Sequence, residues 1–194
     1  MKKGFKILAV LLVLFLAAMA LPGCGSDKEE ELPEELAAVV AKAAAFAEKY
    51  AKRLSGEWGD MHALLIESGE GGDFEGYDEM QAVLFGFREE SGVDYIYTMY
   101  PPGPKVVAPY VITVDGSVDV EEYGTAYDWE EEFTAAWDGE AAGSEYAWTD
   151  PIGNLVISAY APVYDSEGNI TAILGVDYPA PEFEQFPDWI DDGE

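Results

Sequence analysis

Asp177 sits near the end of an apolar run, Ile173-Leu-Gly-Val-Asp-Tyr178, where a carboxylate buried without a partner is strongly disfavoured. If this run is a strand, its side chains alternate between two faces. Ile170, Ala172, Leu174, Val176 and Tyr178 then share an apolar face, while Thr171, Ile173, Gly175 and Asp177 share the other. Gly175 removes bulk beside Asp177 and leaves room for a group to approach the acid. The preceding strand, Leu155 to Tyr164, repeats the pattern. Leu155, Ile157, Ala159, Ala161 and Val163 form its apolar face, and Ser158 and Tyr160 point the other way. Asp177 with Ser158 and Tyr160 beside it is suited to receive a hydrogen-bond donor or a cation. The competing reading is a structural acid that serves a turn at the strand end.

Other residues of the right type fall on neighbouring segments. Tyr97 and Tyr110 lie on two earlier strands, Asp115 ends the second, and Tyr127, Asp128, Trp129 and Trp148 lie in the connection that follows. Aromatic faces among carboxylates suit an ammonium or a polyamine through cation–π contacts and charge-assisted hydrogen bonds. Core packing is the other reading of each aromatic. An anionic ligand has little to hold it, since Arg53 and Arg88 fall in helices ahead of the sheet and Lys105 in a turn. Catalysis finds no constellation. His62, the sole histidine, lies in a helix as a packing or surface residue, and no nucleophile motif or phosphate loop follows a strand. Asp165 to Asn169 is too short for a calcium loop of the twelve-residue kind. No catalytic residue, metal or cofactor is expected.

The elements that must position these residues follow from periodicity. Leu36, Val39, Val40, Ala43, Phe46, Ala47, Tyr50 and Leu54 recur at helical spacing from Leu32, with Pro33 in the first turn and Gly56 as the stop. A second helix is expected around Asp60 to Ile66, closed by Gly69. A third opens with Asp78 and Gln81 at capping-box spacing and buries Met80, Val83, Leu84 and Phe87. The period then changes to that of strands over Asp94–Tyr100 and Val106–Val114, joined by Pro101-Pro-Gly-Pro104. An acidic connection carries a short helix from Asp128, with Trp129, Phe133 and Trp137 on one side. Helices first and an antiparallel sheet afterwards imply a single α+β domain, with a long N-terminal helix on one face of the sheet. The other face is left to loops and short helices, where cavities form readily.

The N-terminus places Lys2, Lys3 and Lys6 before an apolar stretch, Ile7 to Ala20, which has the form of a secretory signal. It ends in Leu21-Pro-Gly-Cys24, which resembles a bacterial lipobox and implies lipid modification of Cys24, the only cysteine. The chain then divides into a signal peptide (1–23), Cys24 and a polar tether (24–31), a domain (32–178) and an acidic tail (179–194). The formal net charge of −29 excludes nucleic acid and adhesion to anionic head groups. The same acidity solubilises the surface or favours cationic ligands.

The segments GVDYIYTMY, YDWEEEFTAAWDGEAAGSEYAWTD and GNLVISAYAPVYDSEGNITAILGVDY, in that order, resemble the bacterial Cache domain. This is the PAS-like extracytoplasmic sensor module of chemoreceptors and histidine kinases. The resemblance runs from about Leu32 to Tyr178. It implies a long helix packed on a central antiparallel sheet, with a small-molecule pocket on the opposite face. Asp177 matches the acid that contacts the ligand amine in amine- and amino-acid-binding relatives, whereas the Arg-x-Trp segment of the amino-acid binders has no counterpart. No apolar run long enough to span follows the last strand, so the lipid is the expected attachment and a membrane receptor or kinase the expected signalling partner. The alternatives are a structural or envelope-interaction lipoprotein without a ligand, or a lipoprotein hydrolase.

Overall fold

In the computed structural model, residues 31–104 and 109–191 are described. The expected signal peptide, Cys24, nearly all of the expected tether, Lys105 with the first residues of the second expected strand, and the last three residues lie outside them. Leu32 onward forms one compact unit, with α+β architecture as the order of periodicities implies.

The first helix, α1 (Glu34–Leu54), buries Leu36, Val39, Ala43, Ala47, Tyr50, Ala51 and Leu54. Small side chains at Ala43 and Ala47 let its backbone lie close on the two longest strands, β6 (Leu155–Tyr164) and β7 (Ile170–Pro179). Val40 and Phe46 flank this contact and are only partly buried. Phe46 rests its ring against Tyr50 and, edge-on, against Tyr178. The second helix, α2 (Glu57–Ser68), is closed by Gly69 in the left-handed conformation. It docks at the end of β6, where the Gly56 amide donates to the Tyr164 carbonyl at 2.8 Å. Gly59 is required there, because a β-carbon would collide with the backbone of Tyr164.

The third helix, α3 (Tyr77–Ser91), corrects one expectation. Gly76, at φ 100°, ends the preceding loop, so the helix begins at Tyr77 and Asp78 lies inside its first turn. The capping box does not form. Asp78 instead places a negative charge near the helix N-terminus, and the Gln81 amide donates to the Asp115 carbonyl at 3.0 Å. A second correction concerns the short helix α4 (Glu131–Trp137). Its N-cap, Glu130, is extended, so Asp128 and Trp129 precede the helix and only Phe133 of the expected aromatic side is fully buried.

The remaining strands are β1 (Tyr95–Tyr100), β2 (Tyr110–Asp115), β3 (Ala126–Tyr127), β4 (Ala142–Gly143) and β5 (Trp148–Thr149). The sheet is antiparallel in order β3-β2-β1-β7-β6-β4, with β5 also pairing β6. Its helix-side face holds Ile96, Ile157, Ala159, Ala161, Val163, Ala172, Leu174 and Val176. On the opposite face, α4 covers one end through Phe133 and Ala136, packed on Met99, Tyr110, Ile112, Tyr160 and Ile173. The other end of that face is where Asp177 lies. Residues 180–191 pack onto the domain as well: the Ala180 amide donates to the Leu155 carbonyl at 2.9 Å, and Phe183 and Trp189 are buried.

Candidate functional site

Strand register assembles the site. Tyr95, Asp177 and Ser158 stand side by side across β1, β7 and β6, and the next row on the same face is Tyr97, Gly175 and Tyr160. Side chains two apart on each strand share this face, so the two rows make a polar floor of three strands. Gly175 serves it differently from expectation. A β-carbon there would strike the Tyr97 ring and crowd that of Tyr160, so the space beside Asp177 is taken by two aromatic rings. The Tyr97 and Tyr160 hydroxyls come within 3.4 Å of each other above the glycine.

Asp177 is 5% exposed. Its Oδ1 accepts from the Ser158 hydroxyl at 2.9 Å and from the Tyr97 hydroxyl at 3.4 Å. Ser158 in turn accepts from the Trp148 indole at 3.1 Å. These partners are side chains, whereas turn-serving acids of this chain hold backbone amides. Asp150 accepts from the amides of Ile152 and Asn154, and Asp165 from those of Glu167 and Asn169. Among the described residues Asp177 therefore serves no turn amide, and both of its hydrogen bonds fall on Oδ1 rather than Oδ2. Desolvation pushes its pKa up to about 7, against the Ser158 and Tyr97 hydrogen bonds and with the charges of Asp150 and Glu130. Burial also holds the Tyr97 and Tyr160 hydroxyls well above the ordinary phenol value, so both stay protonated at neutral pH.

Above this floor opens a cavity of about 1220 Å³. Tyr95, Tyr97, Tyr127, Tyr146, Trp148 and Tyr160 give it aromatic walls, and Asp115, Asp119, Glu121, Glu130, Glu131, Glu132, Glu145, Asp177 and Asp191 line it with carboxyl groups. No lysine, arginine or histidine among the described residues lines it. Among the described residues the basic side chains sit on α1 (Lys42, Lys49, Lys52, Arg53) and α3 (Arg88). Glu130 lines the cavity wall and is exposed. Desolvation and the neighbouring Glu132 push its pKa up to about 7. Among the described residues, no group of three or more His, Cys, Asp or Glu side chains is placed to hold a metal ion.

The site residues read from sequence divide by position. Asp177, Ser158, Tyr160, Tyr97, Trp148, Tyr127 and Asp115 all line the cavity. Asp115 also has a structural task, since Oδ1 accepts from the Ser117 amide at 2.8 Å and Oδ2 from the Glu121 amide at 2.6 Å. Three expected residues lie elsewhere. Tyr110 is buried beneath α4, its ring against Phe133. Asp128 and Trp129 are exposed ahead of α4, and the Trp129 indole donates to Thr134 Oγ1 at 2.7 Å. Sequence reasoning missed Tyr95, Glu121 and Glu130. Tyr95 was legible, because it alternates with Tyr97 on one strand. Glu121 and Glu130 sit in an acid-rich connection where nothing distinguishes them from their neighbours.

No family model and no curated protein matches the chain. Among solved structures it is similar to the ligand-binding domain of the Campylobacter jejuni chemoreceptor Tlp3 in complex with L-valine, at 12% identity and a TM-score of 0.37, over 78% of this chain and 64% of that one. It is also similar to a methyl-accepting chemotaxis protein X (17% identity, TM-score 0.37, 82% and 65% covered). A third is the periplasmic sensory domain of the C. jejuni chemoreceptor Tlp1 (12% identity, TM-score 0.34, 77% and 64% covered). The chain thus spans a little under two thirds of each of these structures.

Proposed function

We propose that the domain is an extracytoplasmic small-molecule-binding sensor module of Cache type, held to a membrane by lipid on Cys24, that takes an amine or other cationic metabolite and reports to a separate membrane receptor or kinase. The observation that carries the ligand class is the cavity itself. It is walled by aromatic rings and carboxyl groups, has no basic side chain among the described residues that line it, and has Asp177 on its floor. A cation entering it meets opposite charge and ring faces at once. An anion would meet repulsion with nothing to offset it.

A thermal-shift screen of amines, amino acids, carboxylates and neutral sugars at one ionic strength tests the reading, because ligands of the native state raise its melting temperature. Amines are the expected hits. Hits confined to carboxylates would overturn the cationic ligand class. A panel with no hit at all would favour a structural or envelope-interaction lipoprotein. Anchoring is tested separately by fractionation: wild type is expected with membranes, and Cys24→Ser is expected to be released or left unprocessed. Wild type found wholly in the soluble fraction would overturn the anchor.

A further inference from the structure

The cavity holds polar groups whose hydrogen-bonding capacity the fold itself does not use, and they fall in two places. On the floor, Tyr95 is 8% exposed and its buried hydroxyl has no partner among the described residues. It stands in register with Asp177, whose two hydrogen bonds both fall on Oδ1. On the wall, the buried Oε2 of Glu121 has no partner either, while Oε1 accepts from the Tyr127 hydroxyl at 2.6 Å. A buried acceptor left unpaired is unfavourable, and the penalty is removed when a donor arrives. Tyr127 links the two places, since its hydroxyl feels the charges of both Glu121 and Asp177.

Resting on the amine reading above, we infer that the ligand is a dication with two separated ammonium groups. One is received by Asp177 Oδ2 and the Tyr95 hydroxyl, the other by Glu121 Oε2, with the linking chain lying along Tyr97 and Tyr127. Each ammonium carries several N–H donors and no acceptor, which suits acceptors at both ends. A cavity of about 1220 Å³ has room for an extended chain of this kind. A monoamine would answer only one of the two sets of unused groups.

The test is calorimetric titration of the full chain with unbranched α,ω-diamines of increasing length, each beside the monoamine of equal carbon number, at constant ionic strength. One or two adjacent diamine lengths are expected to bind at least about tenfold more tightly than the matching monoamine, the increment of one charge-assisted hydrogen bond. Glu121→Gln keeps an acceptor for Tyr127 and should remove that preference, weakening the diamines more than the monoamines. Asp177→Asn should weaken both series. Glu35→Gln, on exposed α1, should change neither, which separates the local site from the general field of an acidic protein. Equal affinities for the two series, or a diamine preference that survives Glu121→Gln, would overturn the dication inference and leave the amine reading standing. Binding of neither series would overturn both.

Discussion

Asp177→Asn is expected to raise the melting temperature of the protein, without added amine at about pH 8, by roughly 5 °C or more. The same substitution is expected to weaken amine binding by about one to two powers of ten. The stability gain follows from burial. The fold lifts this carboxyl from an ordinary value of 3.8 to about 7, which corresponds to on the order of 4 kcal/mol against the charged form. The sign is set by linkage. A raised acid is at no disadvantage below its unfolded value, where both states hold the proton. The disadvantage grows as pH climbs from 3.8 toward 7 and stays constant above that. Asparagine removes it while its Oδ1 can still accept from Ser158 and Tyr97, so the gain should be full at alkaline pH and vanish in acid. Affinity should run the other way, since a cation needs the ionised acid. Amine binding to wild type should strengthen as pH rises to 7 and level off above it. Glu130, with a similar acidity, leaves Asp177→Asn a weaker remnant of that trend. A lower melting temperature at alkaline pH would show that the charged acid holds the floor together, and would return Asp177 to a structural role. A residue that destabilises the protein and tightens its ligand is what a binding site looks like when function is retained at the expense of stability.

The site was readable in sequence where strand alternation controls it. Ser158, Tyr160 and Asp177 sit on long strands whose opposite faces are uniformly apolar, so the period of two decides which way each side chain points. Register did the rest: it aligned Asp177 with Ser158 and Tyr95, which single-strand reasoning could not see. Gly175 shows the limit. Its missing side chain was visible, but whether a ligand or a neighbouring ring fills the space depends on β1, from which Tyr97 leans over it. Tyr110 and Trp129 illustrate a second limit. The helix over this face begins at Glu131 rather than Asp128, and that shift decides what lies beneath α4 and what stays in solvent. The capping-box pattern at Asp78 and Gln81 failed for a similar reason, because a glycine two residues earlier ends the loop first.

His62 was read as a packing or surface residue, and its burial leads to the second large expectation: His62→Gln should turn a nearly flat response of stability to mild acid into a rise. The ring is fully buried between α2 and the sheet. Nδ1 lies 2.8 Å from the Trp58 carbonyl, which can only accept, so the proton sits on Nδ1. Nε2, 3.0 Å from Thr98 Oγ1, is then an acceptor for that hydroxyl, whose one proton also has the Val114 carbonyl within reach at 3.2 Å. Thr98 Oγ1 already accepts from the Thr113 hydroxyl and the Val114 amide, so a second ring proton would find a crowded acceptor. Burial accordingly lowers the imidazole from 6.5 to about 4, with the Trp58 bond opposing. For a histidine depressed in the fold, the stabilisation is whole above 6.5 and is lost as pH falls toward 4, on the order of 3 kcal/mol in all. Asp177 acts in the opposite sense over nearly the same range, becoming less costly as it takes up a proton. In wild type the two trends offset each other, and urea midpoints should change little between about pH 7 and pH 4.5 from this pair. Asp177→Asn should expose the histidine trend, with stability falling steadily in acid. His62→Gln can accept from Thr98 without a charge to gain, so its stability should rise over the same interval, helped by relief of repulsion among the acids. Parallel acid profiles for wild type and His62→Gln would show that the ring takes up its proton as readily in the fold as in the unfolded chain, and would remove His62 as the source of acid sensitivity.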